Sequence, residues 1–319
     1  MKIVIPGGTG QIGNILSRSF AATGDEVVIL TRNPQPGPRS RSVHWDGKTL
    51  CKWTQEIDGA DVVINLAGKS VNCRYGEKNR RAIMDSRVDS VRAIRSAIEK
   101  ATRPPRVWLQ AATATIYAHR FDAPNDELTG IIGGDEPNAP DTWRFSINVA
   151  KAWESAVTES GPLPNTRIVM MRSGMTMSPE RGGIFAHLLG LVRFGIGGKT
   201  GSGRQFMSWI HEYDFVRAVR YLIDNDDLSG VVNICSPNPL PNSEFMRELR
   251  QTWGQRFRLP VREWMLEIGA FLMRTESELV LKSRRVVPAR LLQHGFEFQF
   301  PYWLDAATEL CRRYRKARY

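Results

Sequence analysis

Apolar residues follow two rhythms along this chain. One is a short unbroken run, and the other returns every three or four residues. Both occur in the first twenty positions. Ile3, Val4 and Ile5 form an unbroken run, and after a glycine-rich turn Ile12, Ile15, Leu16 and Phe20 recur at helical spacing. A short run bounded by turn residues predicts a strand buried on both faces, and the wider spacing predicts an amphipathic helix. The alternation repeats downstream. Glu26–Leu30, Ser42–Trp45, Asp61–Gly68, Arg106–Ala112 and Arg167–Arg172 are predicted strands. Glu77–Lys100 is a predicted helix with Met84, Val88, Val91, Ile94 and Ile98 on one face, closed by Pro104 and Pro105. A second helix, from about Trp143 to Ser160, carries Phe145, Val149 and Trp153. Gln35–Ser42 and Phe121–Thr142 are polar and read as loops. Strands alternating with helices predict an α/β fold, a doubly wound parallel sheet covered on both faces.

The second half breaks this rhythm. Gly182–Gly203 is dense in glycine around an apolar helical centre. A helix runs through Tyr221 and Leu222, Val231–Ile234 is a strand, and Glu244–Trp253 and Glu263–Met273 are predicted helices. No linker separates the halves. The expectation is a dinucleotide-binding domain over residues 1–178, its sheet completed by parts of 205–236. A small substrate or lid domain would comprise 179–204 and 237–319.

The glycines after the first strand carry the first chemical signal. Gly7, Gly10 and Gly13 stand three apart between strand and helix, the layout of a dinucleotide-binding turn. Gly7 would allow the tight turn. Gly10 would let a pyrophosphate approach the backbone, and Gly13 would let helix and strand pack closely. The helix N-terminus then offers free N–H groups to the phosphates. At the end of the second strand stand Thr31 and Arg32, with no acid. An acid there would bind a ribose 2′-hydroxyl, whereas an arginine accommodates a 2′-phosphate. The cofactor expected is NADP(H).

Composition adds limits. The chain of 319 residues is 42% hydrophobic and has no apolar window long enough for a membrane span. Its N-terminus reads as a strand at once, so no signal peptide is expected. Cys51, Cys73, Cys235 and Cys311 are scattered without metal-ligand spacing, so reduced thiols in a cytoplasmic protein and no metal are expected. Net charge is +11, and part of it lies in the tail, in Arg312, Arg313, Arg315, Lys316 and Arg318. A solvated helix end explains that run, and no nucleic-acid-reading motif accompanies it.

Several stretches together resemble a known family. GGTGQIG, TRNP, VINLAG, the Thr113–Tyr117 segment, RSGMTMSP and above all GSGRQFMSWIH are similar to the extended short-chain dehydrogenase/reductases. The closest subgroup looks like the YfcH-like epimerase family proteins, and Leu281–Phe298 resembles the signature of their C-terminal domain of unknown function. The resemblance implies a Rossmann fold with a parallel sheet of about seven strands and a small C-terminal substrate domain. It implies NADP(H) on Gly7, Gly10, Gln11, Ile12 and Gly13, near Thr31 and Arg32, under Leu66, Ala67 and Gly68, and close to Arg87 and Lys151. The substrate would meet loops containing Arg74, Ser173, Gly201, Arg204, Gln205 and Trp209. The family's name suggests a nucleotide sugar or another small anionic substrate.

One departure matters. Active members pair a Ser or Thr with a Tyr four residues before a Lys. Thr113 and Lys151 match, but the tyrosine position is Ile147, which has no acidic proton. General acid help of this kind contributes about 10²–10⁴-fold. Tyr117 is the first substitute expected, then Tyr75 and His119. Each has a structural reading as well. Tyr117 could be a packed aromatic, and His119 a solvated loop residue. His211 could be a core histidine bonded to a carboxylate such as Asp214. Two functions follow: an NADP(H)-dependent oxidoreductase or epimerase, and an NADPH-binding sensor or scaffold that barely turns over.

Overall fold

The computed structural model describes residues 1–35, 37, 40–137, 139–180, 182–255 and 281–317. Seven strands form one sheet in the order β10-β6-β5-β4-β1-β2-β3. They are β1 (Lys2–Pro6), β2 (Glu26–Thr31), β3 (Arg41–His44), β4 (Val62–Asn65), β5 (Val107–Thr113), β6 (Arg167–Ser173) and β10 (Gly230–Ile234). Every pairing in this sheet is parallel. The order reverses beside β1, so a crevice opens at the carboxyl ends of β1 and β4, where such sheets take ligands.

Side chains of successive strand residues point to opposite faces. Ile3 and Ile5 pack with Leu16 and Phe20 of α1 (Gln11–Ala22) and with Phe215 and Leu222 of α5 (Glu212–Asp224). Val4 packs on the other face with Val91, Ile94 and Ile98 of α2 (Glu77–Lys100) and Trp153 of α3 (Asp141–Thr158). Both faces are therefore covered, which is why the strands read as unbroken apolar runs. Expected boundaries hold to within a few residues, and α2 spans the range its periodicity predicts.

A third apolar cluster lies outside the sheet. It joins Phe185 and Leu189 of α4 (Ile184–Arg193), Phe245 and Leu249 of α6 (Asn242–Trp253) and Trp303 and Leu310 of the C-terminal helix Trp303–Lys316. Phe245 and Trp303 stack with ring centres 3.8 Å apart. Two small sheets border this cluster: β7 (Met175–Met177) beside β9 (Trp209–His211), and β8 (Phe206–Met207) beside β11 (Leu240–Pro241). The predicted helix Glu263–Met273 lies outside the described residues. Among the described residues all four cysteines are free, no helix is long and apolar enough to cross a membrane, and no side-chain cluster could hold a metal.

Candidate functional site

The three glycines of the first turn answer to three different constraints. Gly7 has φ +74°, and a Cβ there would lie 2.7 Å from the Ala67 backbone. Gly13 lies against Gly8, where a Cβ would come within 2.2 Å of the carbonyl oxygen. Gly10 has no such neighbour; its Cβ would meet only the Gly7 oxygen, at 3.9 Å. Gly7 and Gly13 are thus demanded by the fold, and Gly10 leaves its space open. Gly10 is also the N-cap of α1, with no side-chain cap and no acid in the first turn, so the first N–H groups and their partial positive charge stay available. Beside them the Gln11 amide nitrogen is buried without a partner. An orphaned amide, uncapped N–H groups and an open backbone fit a dinucleotide pyrophosphate.

The neighbouring loop is held by buried polar groups. Ala67 N–H donates to Asn65 Oδ1 at 3.1 Å, and Asn65 Nδ2 donates to Gln110 Oε1 at 2.9 Å. Arg87 Nη1 donates to the carbonyls of Lys69 and Ile83, both at 3.1 Å, which fixes the chain after Gly68. Thr31 and Arg32 stand at the end of β2. Arg32 is exposed and has no side-chain partner among the described residues.

At the end of β5, Thr113 Oγ1 accepts from Thr115 N–H at 3.2 Å. Thr113 opens onto a cavity of about 120 Å³ whose walls include Tyr75, Arg87, Thr115, Phe145, Ser146 and Trp153. Burial pushes the Arg87 guanidinium down to about 10, and its plane lies over the Trp153 ring at 4.9 Å. Ile147 is fully buried one residue beyond Ser146. Its Cδ1 would lie 3.0 Å from a Cβ on Gly133, and the Lys151 ammonium 3.3 Å from a Cβ on Gly134. The loop after β5 therefore closes over the position where a tyrosine acid would stand.

The structure brings Thr113 and Arg87 to one cavity but turns other sequence candidates elsewhere. Tyr117 is a core residue, not a cavity residue. Its hydroxyl donates to Asn233 Oδ1 at 3.0 Å, Arg172 lies over its ring, and burial raises its pKa. His119 is not a free loop histidine. It packs against Phe121 and Trp143, and its Nδ1 accepts from Ser283 N–H at 2.8 Å. Burial first, then Lys282 and Arg284, hold its pKa below the ordinary value. His211 does bond a carboxylate, but it is Glu309, at 3.0 Å, rather than Asp214. Asp214 instead accepts from the N–H groups of Gln299 and Phe300.

Among the expected substrate residues, Trp209 is fully buried in the third cluster against Trp303, and Gln205 Nε2 donates to the Thr200 carbonyl at 2.9 Å. Both shape their own lobe. Gly201 has φ +55°, as a turn residue should. Ser173 ends β6 with its hydroxyl on the Met171 carbonyl at 3.4 Å, and Arg204 lies over the Phe121 ring. Arg74 is half-buried before α2, its carbonyl accepting from Asn79. Of that loop, Val71 and the following Tyr75 reach the cavity.

Sequence reasoning missed Ser146 and Thr115. A reading fixed on the fourth residue before Lys151 passes over its neighbour, although helical spacing alone puts Ser146, Val149, Ala150 and Trp153 on one stripe. It also missed how the C-terminal segment reaches this corner. Lys282 Nζ donates to the Thr115 carbonyl at 2.6 Å, and Arg284 Nε to Thr115 Oγ1 at 3.1 Å.

Comparison with known proteins identifies the family. The profile of the NAD dependent epimerase/dehydratase family matches residues 3–235. The chain belongs to that family. A domain of unknown function, DUF1731, matches residues 261–310. Epimerase family protein SDR39U1 of Homo sapiens is 30% identical over 97% of this chain and 99% of its own. Epimerase family protein YfhF of Bacillus subtilis is 30% identical over 94% of both. These relatives describe the subgroup better than the YfcH label does. The crystal structure of human SDR39U1 with NADPH superimposes with a TM-score of 0.84 at 29% identity, covering 98% of this chain and 99% of that one.

Proposed function

We propose that this protein is an NADP(H)-dependent oxidoreductase of the extended short-chain type, acting on a small substrate beside Thr113. The observation that carries the reading is the division of labour among the glycines. Two are required by packing, and the third, Gly10, keeps backbone open at an uncapped helix end. The pyrophosphate would lie on Gly10, Gln11, Ile12 and Gly13, and the adenosine 2′-phosphate near Thr31 and Arg32. Leu66, Ala67 and Gly68 would border the cofactor, and Lys151 would hold its nicotinamide ribose. The likeness to human SDR39U1, crystallised with NADPH, supports the choice of cofactor. Residues 1–178 with β10 would form the cofactor domain, and the third cluster the lobe that closes on it. The free thiols suit the cytoplasm.

When bound, NADPH supplies a hydride to a carbonyl carbon, and the oxygen then needs a proton. Tyr117 cannot give it, since its hydroxyl is engaged with Asn233 in the core. Tyr75, Thr113, Thr115 and Ser146 are the hydroxyl-bearing residues that line the cavity, and Thr115 already accepts from Arg284. The second reading, an NADPH-binding sensor with little turnover, is favoured by one observation: Ile147 fills the acid position with hydrocarbon. NADPH oxidation against aldehydes, quinones and nucleotide sugars divides the two. Turnover that falls in Lys151→Met and survives in Tyr117→Phe supports the enzyme. Tight NADPH binding without turnover of any of these supports the sensor.

A further inference from the structure

The cavity beside Thr113 has a composition that points to a particular ligand. Its volume is about 120 Å³. An apolar cavity of roughly 150 Å³ takes one benzene ring, so this one suits a body of about one six-membered ring or a short branched chain. Val71, Ile83, Phe145, Val149 and Trp153 give it apolar walls.

Set into those walls is one cation. Arg87 spends Nη1 on the carbonyls of Lys69 and Ile83, and among the described residues its Nε and Nη2 have no partner. Among the described residues no carboxylate pairs with it. A half-buried guanidinium without a counter-ion gains from an incoming anion. The pyrophosphate is not that anion, because no residue of the Gly7–Gly13 turn lines the cavity. A planar fork of N–H donors matches a carboxylate in two-point contact. The hydroxyls of Thr113 and Ser146 border the same space and could bond a second oxygen of the ligand. A pyranose carries more hydroxyls than the cavity's few polar groups can bond, so some would face the apolar walls unpaired.

We propose that the substrate is a small carboxylic acid with an apolar body, seated in this cavity with its carboxylate on Arg87. The proposal rests on the NADP(H) reading and names the substrate class for the same site.

The test uses the whole protein loaded with NADP⁺ and three probes: benzoate, neutral benzamide of the same shape, and UDP-glucose. Binding is read by calorimetry and by tryptophan fluorescence, since Trp153 forms one wall. Benzoate is expected to bind at least about tenfold more tightly than benzamide, a difference ordinary for one charge-assisted contact. Arg87→Met should abolish that preference, and Arg87→Lys should restore part of it. Val149→Phe, which fills the cavity and leaves the cation, should lose benzoate as well. NADPH affinity is measured alongside in every protein. A wild type that binds no NADPH overturns the dinucleotide reading. A wild type that binds NADPH but takes benzamide as well as benzoate, or UDP-glucose in place of both, overturns the carboxylate proposal. Retained benzoate preference in Arg87→Met does the same.

Discussion

The turn at Gly7–Gly13 and the corner between β5 and α3 lie at the carboxyl ends of strands in one sheet, yet they are made of different material. The turn works through its backbone. What it offers a ligand is N–H donors and a helix end, and its side chains matter chiefly where they are missing. The corner works through side chains: Thr113, Ser146, Tyr75 and Arg87 around a cavity, with Lys151 beside the buried Ile147. A backbone site is fixed once the fold forms and tolerates almost no added atom. A side-chain site can lose its acid and keep its shape. That is how this chain could keep a cofactor cradle intact while its reaction corner departs from the family pattern.

If the turn is a backbone site, adding one carbon at its tightest point should have the largest effect. Gly13→Ala places a Cβ 2.2 Å from the Gly8 oxygen, and backbone cannot give way cheaply. We expect a loss of about 3 kcal/mol or more in unfolding free energy, together with cofactor binding. Denaturant unfolding of a variant as stable as wild type would break the comparison at its base.

Within the proposed cofactor site Arg32 would be the exception, a side chain with a recognition role. A charged hydrogen bond to a 2′-phosphate contributes about 1.5–3 kcal/mol, so wild type should prefer NADPH to NADH by roughly ten- to hundredfold. Arg32→Ala should abolish the preference. Equal affinities in the wild type would remove the 2′-phosphate reading.

The corner offers the opposite experiment, restoring the missing acid. Ile147→Tyr would seem to repair the family pattern, but Gly133 and Gly134 already pack on Ile147. We expect overpacking that costs about 1–3 kcal/mol and no gain in carbonyl reduction. An unchanged melting temperature with new activity would show that the loop yields and that only the phenol was missing.

The smallest effect concerns the His119 clasp. Its Nδ1 accepts from Ser283, so the bond needs the neutral ring, and burial lowers its pKa in the fold. The unfolded chain, with a pKa near 6.5, therefore binds the proton more readily. The stabilisation is fully present above about pH 6.5 and is lost as pH falls through the folded pKa. Wild type should exceed His119→Gln by about 1 kcal/mol at pH 8, and the gap should narrow toward pH 5. His211 is also lowered by burial but is common to both proteins. A gap constant with pH would mean that His119 does not titrate against this bond.

These contrasts also explain what the sequence made legible. The sheet was readable because strands buried on both faces must be continuous apolar runs, and β1, β2 and β4 are. The turn was readable because only glycine fits Gly7 and Gly13. The corner was less so. That Ile147 replaces an acid could be seen from its spacing to Lys151, but not that the loop at Gly133 closes over it. Tyr117 faces Asn233 because of pairing across residues far apart in the chain, which no local pattern encodes. Trp209 and Gln205 sit in the stretch that carried the family resemblance, yet their side chains serve packing and a turn. The Glu309 partner of His211 comes from the last helix, 98 residues away.

The proposed function rests on a backbone cradle for NADPH with Gly10 as its open point. Calorimetric titration of NADPH into wild type and Gly10→Val, with melting temperatures recorded for both, tests it directly. Wild type should bind NADPH one to one, and the variant should melt at the same temperature and bind none. A Gly10→Val protein that binds NADPH as wild type does, or a wild type that binds none, would contradict it.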